Sequence, residues 1–121
     1  MNFKKIIDEV YALLRLIIYR DYTELYNRRA FADLTLDELI AGFKLQYEDY
    51  PAIFVVPTIE ELVGLIEAYP DQNSATGSRF WSLEVRMWSI EEQESDLVAF
   101  MEIHYVPGEG YTGKFYDIYV P

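Results

Sequence analysis

Hydrophobic positions follow two different periods along this chain, and the change from one to the other comes near residue 79. Ile6, Ile7, Val10, Leu13, Leu14, Ile17 and Ile18 recur at helical spacing, which places them on one stripe of an amphipathic helix opening after Asn2, a residue suited to the N-cap. Asp21 with Glu24 makes a capping-box-like pair and predicts a short second helix from Tyr22 to about Arg28. Thr35 with Glu38 repeats that signature. Leu36, Leu39, Ile40, Phe43 and Tyr47 then form the buried face of a third helix, which Pro51 ends. Ala52 to Val56, bounded by Pro51 and Pro57, reads as a short strand. Thr58 with Glu61 opens a fourth helix through Ile59, Leu62, Val63 and Ile66, although Leu65 to Tyr69 suits an extended chain equally well. Pro70 to Ser78 has turn composition throughout and reads as a mobile loop.

From Arg79 the pattern alternates. Trp81, Leu83, Val85 and Met87 fall on one face of a strand, and Ser82, Glu84 and Arg86 on the other. Leu97 to Tyr105 is a second strand, apolar on both faces for much of its length, and Lys114 to Val120 is a third. The connections Ser89 to Asp96 and Val106 to Gly113 are too short for a parallel crossover, so the strands form an antiparallel meander. The expected architecture is α+β: a single domain over residues 1–121, with N-terminal helices packed on one face of a C-terminal antiparallel meander.

Composition supports a folded chain. Hydrophobic residues make up 51% and aromatics 17% of the 121 residues, with eleven Tyr, seven Phe and two Trp, too apolar for disorder. The absence of cysteine removes disulfides, thiolate metal sites and a cysteine nucleophile, and fits a reducing cytoplasm. Lys4 and Lys5 before the apolar run Val10 to Tyr19 resemble an export signal. Asp8, Glu9 and Arg15 interrupt that pattern and no small-residue cleavage site follows, so the segment reads as a mature helix. No apolar run approaches the roughly 20 residues of a membrane span.

Charge is unevenly distributed. Residues 1–30 hold six basic and four acidic groups, whereas the remainder holds four basic and seventeen acidic. Such a surface repels nucleic-acid phosphates and attracts basic partners.

Candidate chemistry is sparse. Gly108, Gly110 and Gly113 match the spacing of a dinucleotide fingerprint, but a strand follows them where the phosphate-holding helix should begin, so they read as a turn. Glu91, Glu92, Glu94 and Asp96 form an acidic cluster between strands that lacks the pattern of a calcium loop. They read as a solvated loop or a contact for a basic protein. Asp71-Gln72-Asn73 is a weaker match still. His104, the single histidine, is a candidate general base beside Glu102 and Tyr105. With one histidine and no cysteine the common zinc sites are out of reach, and no cofactor is expected. Tyr105, Tyr111, Tyr116 and Tyr119 gather near the C-terminal end with Trp81 and Trp88 in the same sheet; aromatics of this kind either fill a half-buried sheet or anchor an interface.

The order of helices, short strand, Thr58 helix and meander resembles the cystatin-like cone of nuclear-transport-factor-2-like (NTF2-like) domains. A narrower likeness lies in Trp81 to Val85, Met87-Trp88-Ser89, Glu91-Glu92 and Ser95-Asp96-Leu97, which together look like small bacterial domains of unknown function. The cone resemblance implies a cavity that its enzymes line with a buried Asp and a His or Tyr; here only His104 and tyrosines answer. Two functions are expected. The first is a non-enzymatic interaction module, such as an immunity-type inhibitor of a basic protein, using Trp81, Trp88, Glu91, Glu92, Glu94, Asp96, Tyr105 and Tyr111. The second is a small-molecule pocket or an NTF2-like enzyme using His104. A homodimer through the apolar Leu97 to Tyr105 strand is a further expectation.

Overall fold

The computed structural model describes residues 3–28, 34–48, 53–72, 79–90 and 93–120, at 67–72, 93 and 94 by the backbone alone. Helix α1 spans Phe3–Ile18 and buries the seven residues of the predicted stripe, from Ile6 to Ile18. Its end is a Schellman turn. Arg20 adopts the left-handed region at φ 57°, its N–H donates to the Ile17 carbonyl at 3.1 Å, and the Asp21 N–H donates to the Leu16 carbonyl at 2.9 Å, which satisfies carbonyls the helix would leave open. Arg20 is an uncommon residue in that conformation. Its side chain has work there: the guanidinium lies 5.3 Å from the Tyr47 ring centroid and 3.5 Å from Glu48.

Asp21 also caps the next helix, α2 (Tyr22–Asn27), by accepting from the Glu24 N–H. Helix α3 (Leu36–Phe43) opens on a complete capping box between Thr35 and Glu38. It continues as a π-helical turn over Lys44–Glu48, whose wider winding keeps Tyr47 beside Phe43, with ring centroids 6.0 Å apart. Leu39, Phe43 and Tyr47 are buried, whereas Ile40, expected on the same face, is exposed.

Of the predicted strand Ala52 to Val56, Ala52 lies outside the described residues and Ile53 to Val56 form an isolated bridge in place of a strand. Phe54 makes a single antiparallel bridge to Ser89, flanked by Val55 N–H to the Trp88 carbonyl at 3.0 Å and Ile90 N–H to the Ile53 carbonyl at 2.9 Å. Helix α4 (Ile59–Leu65) follows from a second capping box, Thr58 with Glu61. It buries Leu62 and Leu65 and leaves Ile59 and Val63 exposed. The chain then extends at once into β1 (Ile66–Gln72). The first residues of the predicted loop, Pro70 to Gln72, are thus strand; Pro70 is tolerated because β1 lies at the sheet edge, where a missing N–H does least harm.

Four strands run in the order β1-β2-β3-β4, all antiparallel, with β2 at Arg79–Ser89, β3 at Gln93–Val106 and β4 at Gly110–Tyr119. The sheet is therefore α+β in class as expected and one strand wider than the alternation alone foretold. Trp81, Leu83, Val85 and Met87 of β2, Leu97, Ala99, Met101 and Ile103 of β3, and Phe115 and Ile118 of β4 are buried beneath the helices. Helix α1 packs tightly on β4 at Gly113. A Cβ there would sit 2.9 Å from Leu13 Cδ1, and the Gly113 N–H donates to Glu9 at 3.0 Å. A single core thus joins α1 to the far strand.

Candidate functional site on the open sheet face

With the helices stacked on one side, no helix among the described residues covers the other face of β2, β3 and β4, where Phe80, Ser82, Glu84, Phe100, Glu102 and His104 are half-buried and Val98 is buried. Cross-strand register sets Phe80 opposite His104, Ser82 opposite Glu102, Glu84 opposite Phe100, and Arg86 opposite Val98. On the far side Val98 faces Tyr119, Phe100 faces Asp117, Glu102 faces Lys114, and His104 faces Thr112. Carboxylates and rings interleave across this face. His104 Nε2 lies 2.8 Å from Glu102 Oε1 and its ring stacks on Phe80 at 5.4 Å and 16°. The Tyr119 hydroxyl donates to Glu84 at 3.2 Å. Burial first, and the Glu84 carboxylate second, hold the Tyr119 phenol above its ordinary pKa. Phe100 meets Tyr116 edge to face at 5.4 Å.

Two irregularities in the ladder shape this surface. Tyr116 is an extra residue on β4, since Phe100 pairs with Asp117 while Met101 pairs with Phe115. That bulge puts Phe115 and Ile118, three apart, on the same buried side and sends Tyr116 to Phe100. The second lies at the β2–β3 end. Arg86 pairs with Val98 and Trp88 with Glu94, so Ser95-Asp96-Leu97 stand opposite Met87 alone. The buried Ser95 hydroxyl donates to the Met87 carbonyl at 2.8 Å and accepts from the Leu97 N–H at 3.3 Å, supplying the partners that the broken ladder withholds. The Ser-Asp-Leu run singled out in the sequence is this bulge, and Trp88 is half-buried beside it on the open face.

A family profile described as a domain of unknown function, DUF7668, matches residues 14–121. The chain belongs to this family. No curated protein and no solved structure matches it. The match begins inside α1 and takes in every residue of the open face in this DUF7668 chain.

The sequence-derived site residues separate on the fold. Trp81 is buried in the core on the helix side, stacked against Tyr111 at 6.2 Å with the Arg79 guanidinium 5.3 Å from its ring. Tyr111 in turn packs on Tyr105 at 4.9 Å. These three form an aromatic row at the end of the core, pointing away from Trp88. Asp96 is exposed, and Glu94 belongs to β3 rather than to a loop, because the hairpin closes as early as the Ser89–Gln93 pair. Glu91 and Glu92, with Asn73 of the weak cation motif, lie outside the described residues. Gly108 and Gly110, at φ 85° and 89°, build the β3–β4 turn, with the Glu109 N–H donating to the Val106 carbonyl at 2.9 Å, and β4 follows them in place of a helix. Among the described residues no three His, Asp or Glu side chains converge as a metal site, and no helix is long and apolar enough to cross a membrane.

Hollows occur elsewhere. One of about 430 Å³ runs along α1 and α2, one of about 210 Å³ lies between α3 and β4, and one of about 290 Å³ borders the β3–β4 turn. His104 lines none of these three. Sequence reasoning picked His104 with Glu102 beside it, Trp88, Tyr116 and Tyr119, and placed Glu84 on the outer face of its strand without a role, but passed over Phe80 and Phe100. Their signal was present as the second face of each alternating strand.

Proposed function

We propose that this domain is a non-enzymatic interaction module that takes a basic protein on its open sheet face. One observation carries the reading: on the open face Phe80 stacks on His104, which meets Glu102, the Tyr119 hydroxyl bonds Glu84, and Phe100, between them in the ladder, lies edge to face with Tyr116. Half-buried rings supply contact area at little cost in side-chain order, and carboxylates set among them select cationic side chains. The surrounding field favours the same partner, because residues 31–121 hold seventeen acidic groups against four basic. In its narrower form the module is an immunity-type inhibitor, whose occupant is a basic toxin.

An arginine- and leucine-rich peptide is a suitable probe, followed by backbone amide shifts. The expected shifts cluster on Phe80 to Trp88 and Phe100 to His104. Glu84→Lys with Glu102→Lys weakens binding by at least about tenfold, and Glu60→Lys, an equally acidic but exposed position on α4, changes it far less. Equal losses at the two places would show attraction to net charge alone and remove the open face from the function.

A further inference from the structure

The hollow along α1 and α2 is the largest of the three, about 430 Å³, and is lined by Asp8, Tyr11, Ala12, Arg15, Leu16, Tyr19, Asp21 and Arg28. It belongs to the one stretch of the chain with more basic than acidic groups. Three of its four charges are already engaged. Asp8 pairs with Lys4 at 3.2 Å, Asp21 accepts from the Glu24 N–H as the cap of α2, and Arg28 pairs with Glu24 at 3.1 Å. Arg15 differs: among the described residues its guanidinium meets no carboxylate and lies 5.6 Å from the centroid of the exposed Tyr19 ring. A planar cation over an aromatic ring keeps its in-plane N–H groups free to form a two-pronged bond with a carboxylate. Ala12, Leu16 and the Tyr11 and Tyr19 rings supply the apolar remainder of the lining, and the volume falls in the range of about 300–1,000 Å³ typical of small-molecule sites.

We infer that this groove binds a small monocarboxylate with an aromatic or apolar body, its carboxylate on Arg15 and its body against Tyr11, Leu16 and Tyr19. The site is independent of the open sheet face, and either can fail without the other.

Indole-3-acetate is the probe, titrated against the full chain with amide shifts as readout, and indole-3-acetamide is the uncharged control. The expected result is saturable shifts at Ala12, Leu16 and Tyr19 with the acid, and at least about tenfold weaker binding of the amide and of the acid to Arg15→Gln. Arg15→Lys retains part of the affinity, since it keeps the charge and loses the fork. Arg15 is exposed, so these variants leave the core intact. Absence of saturable shifts, equal binding of acid and amide, or unchanged binding to Arg15→Gln would each overturn the assignment.

Discussion

Ser95 shows how much one hydroxyl can decide. It is buried, it bonds the Met87 carbonyl, and without it a buried acceptor would face the bulge with no donor. Ser95→Ala therefore lowers unfolding stability by about 1–3 kcal/mol, read as a shift in urea midpoint at constant slope. An unchanged midpoint would mean that the Met87 carbonyl finds another donor. From the sequence Ser95 was visible only as part of a run resembling other small domains; its role needed the register, because a two-residue offset between strands leaves no mark in the hydrophobic pattern. The α1 stripe is the opposite case. Its residues are buried as spacing demanded, since a single helix face is fully specified by period. Ile40 departed from expectation because an apolar residue next to a stripe cannot be sorted by period when the helix is only two turns long.

Helix starts were the best-marked elements. The boxes Thr35 with Glu38 and Thr58 with Glu61 both close in each direction, as the spacing required. Thr58→Ala should cost about 1 kcal/mol. In hydrogen exchange the Leu62 amide, which donates to the Thr58 carbonyl at 2.8 Å, should lose protection while the β3 amides keep theirs. Equal loss across the sheet would instead make α4 inseparable from the core. Helix ends were harder to foresee. The switch from α4 to β1 at Ile66 rests on pairing with Val85, a contact distant in sequence, and the π-turn after Phe43 carries no distinctive composition. Of the candidate site, the alternation of β2 foretold an outer face with Glu84 on it. The rings of that face on β3 were hidden because Leu97 to Tyr105 is apolar almost throughout.

At the scale of the whole molecule, three tyrosines at separate places share one response to pH. Tyr22 is held above its ordinary value by burial and then by its hydrogen bond to Glu48. Burial also raises Tyr47, against the pull of Arg20, and Tyr119 follows for the reasons given above. Each fold-state pKa exceeds the unfolded value of about 10, so above that pH the unfolded chain binds fewer protons than the folded one. Stability contributed by the neutral phenols is complete below about pH 10 and declines as pH rises beyond it. Urea midpoints taken from about pH 9 to about pH 11.5 should fall along this range, and less steeply in Tyr22→Phe. A level profile would contradict the burial of these phenols.

The two margins of the sheet have a consequence for how anything can attach to it. Phe54 and Ile66 lie twelve positions apart in the chain, whereas their partners Ser89 and Val85 lie only four apart, so α4 is an excursion that splits one margin into two short pieces, the longer of them carrying Pro70. The other margin has the Tyr116 irregularity, and its Phe115 N–H is taken by the Arg28 carbonyl at 2.7 Å. Among the described residues neither side offers an incoming ribbon a continuous row of donors and acceptors, which discourages fibre growth and strand addition. A partner of the proposed kind would then be read through side chains rather than through main-chain pairing, so substitutions on the open face would retune its choice without disturbing the scaffold.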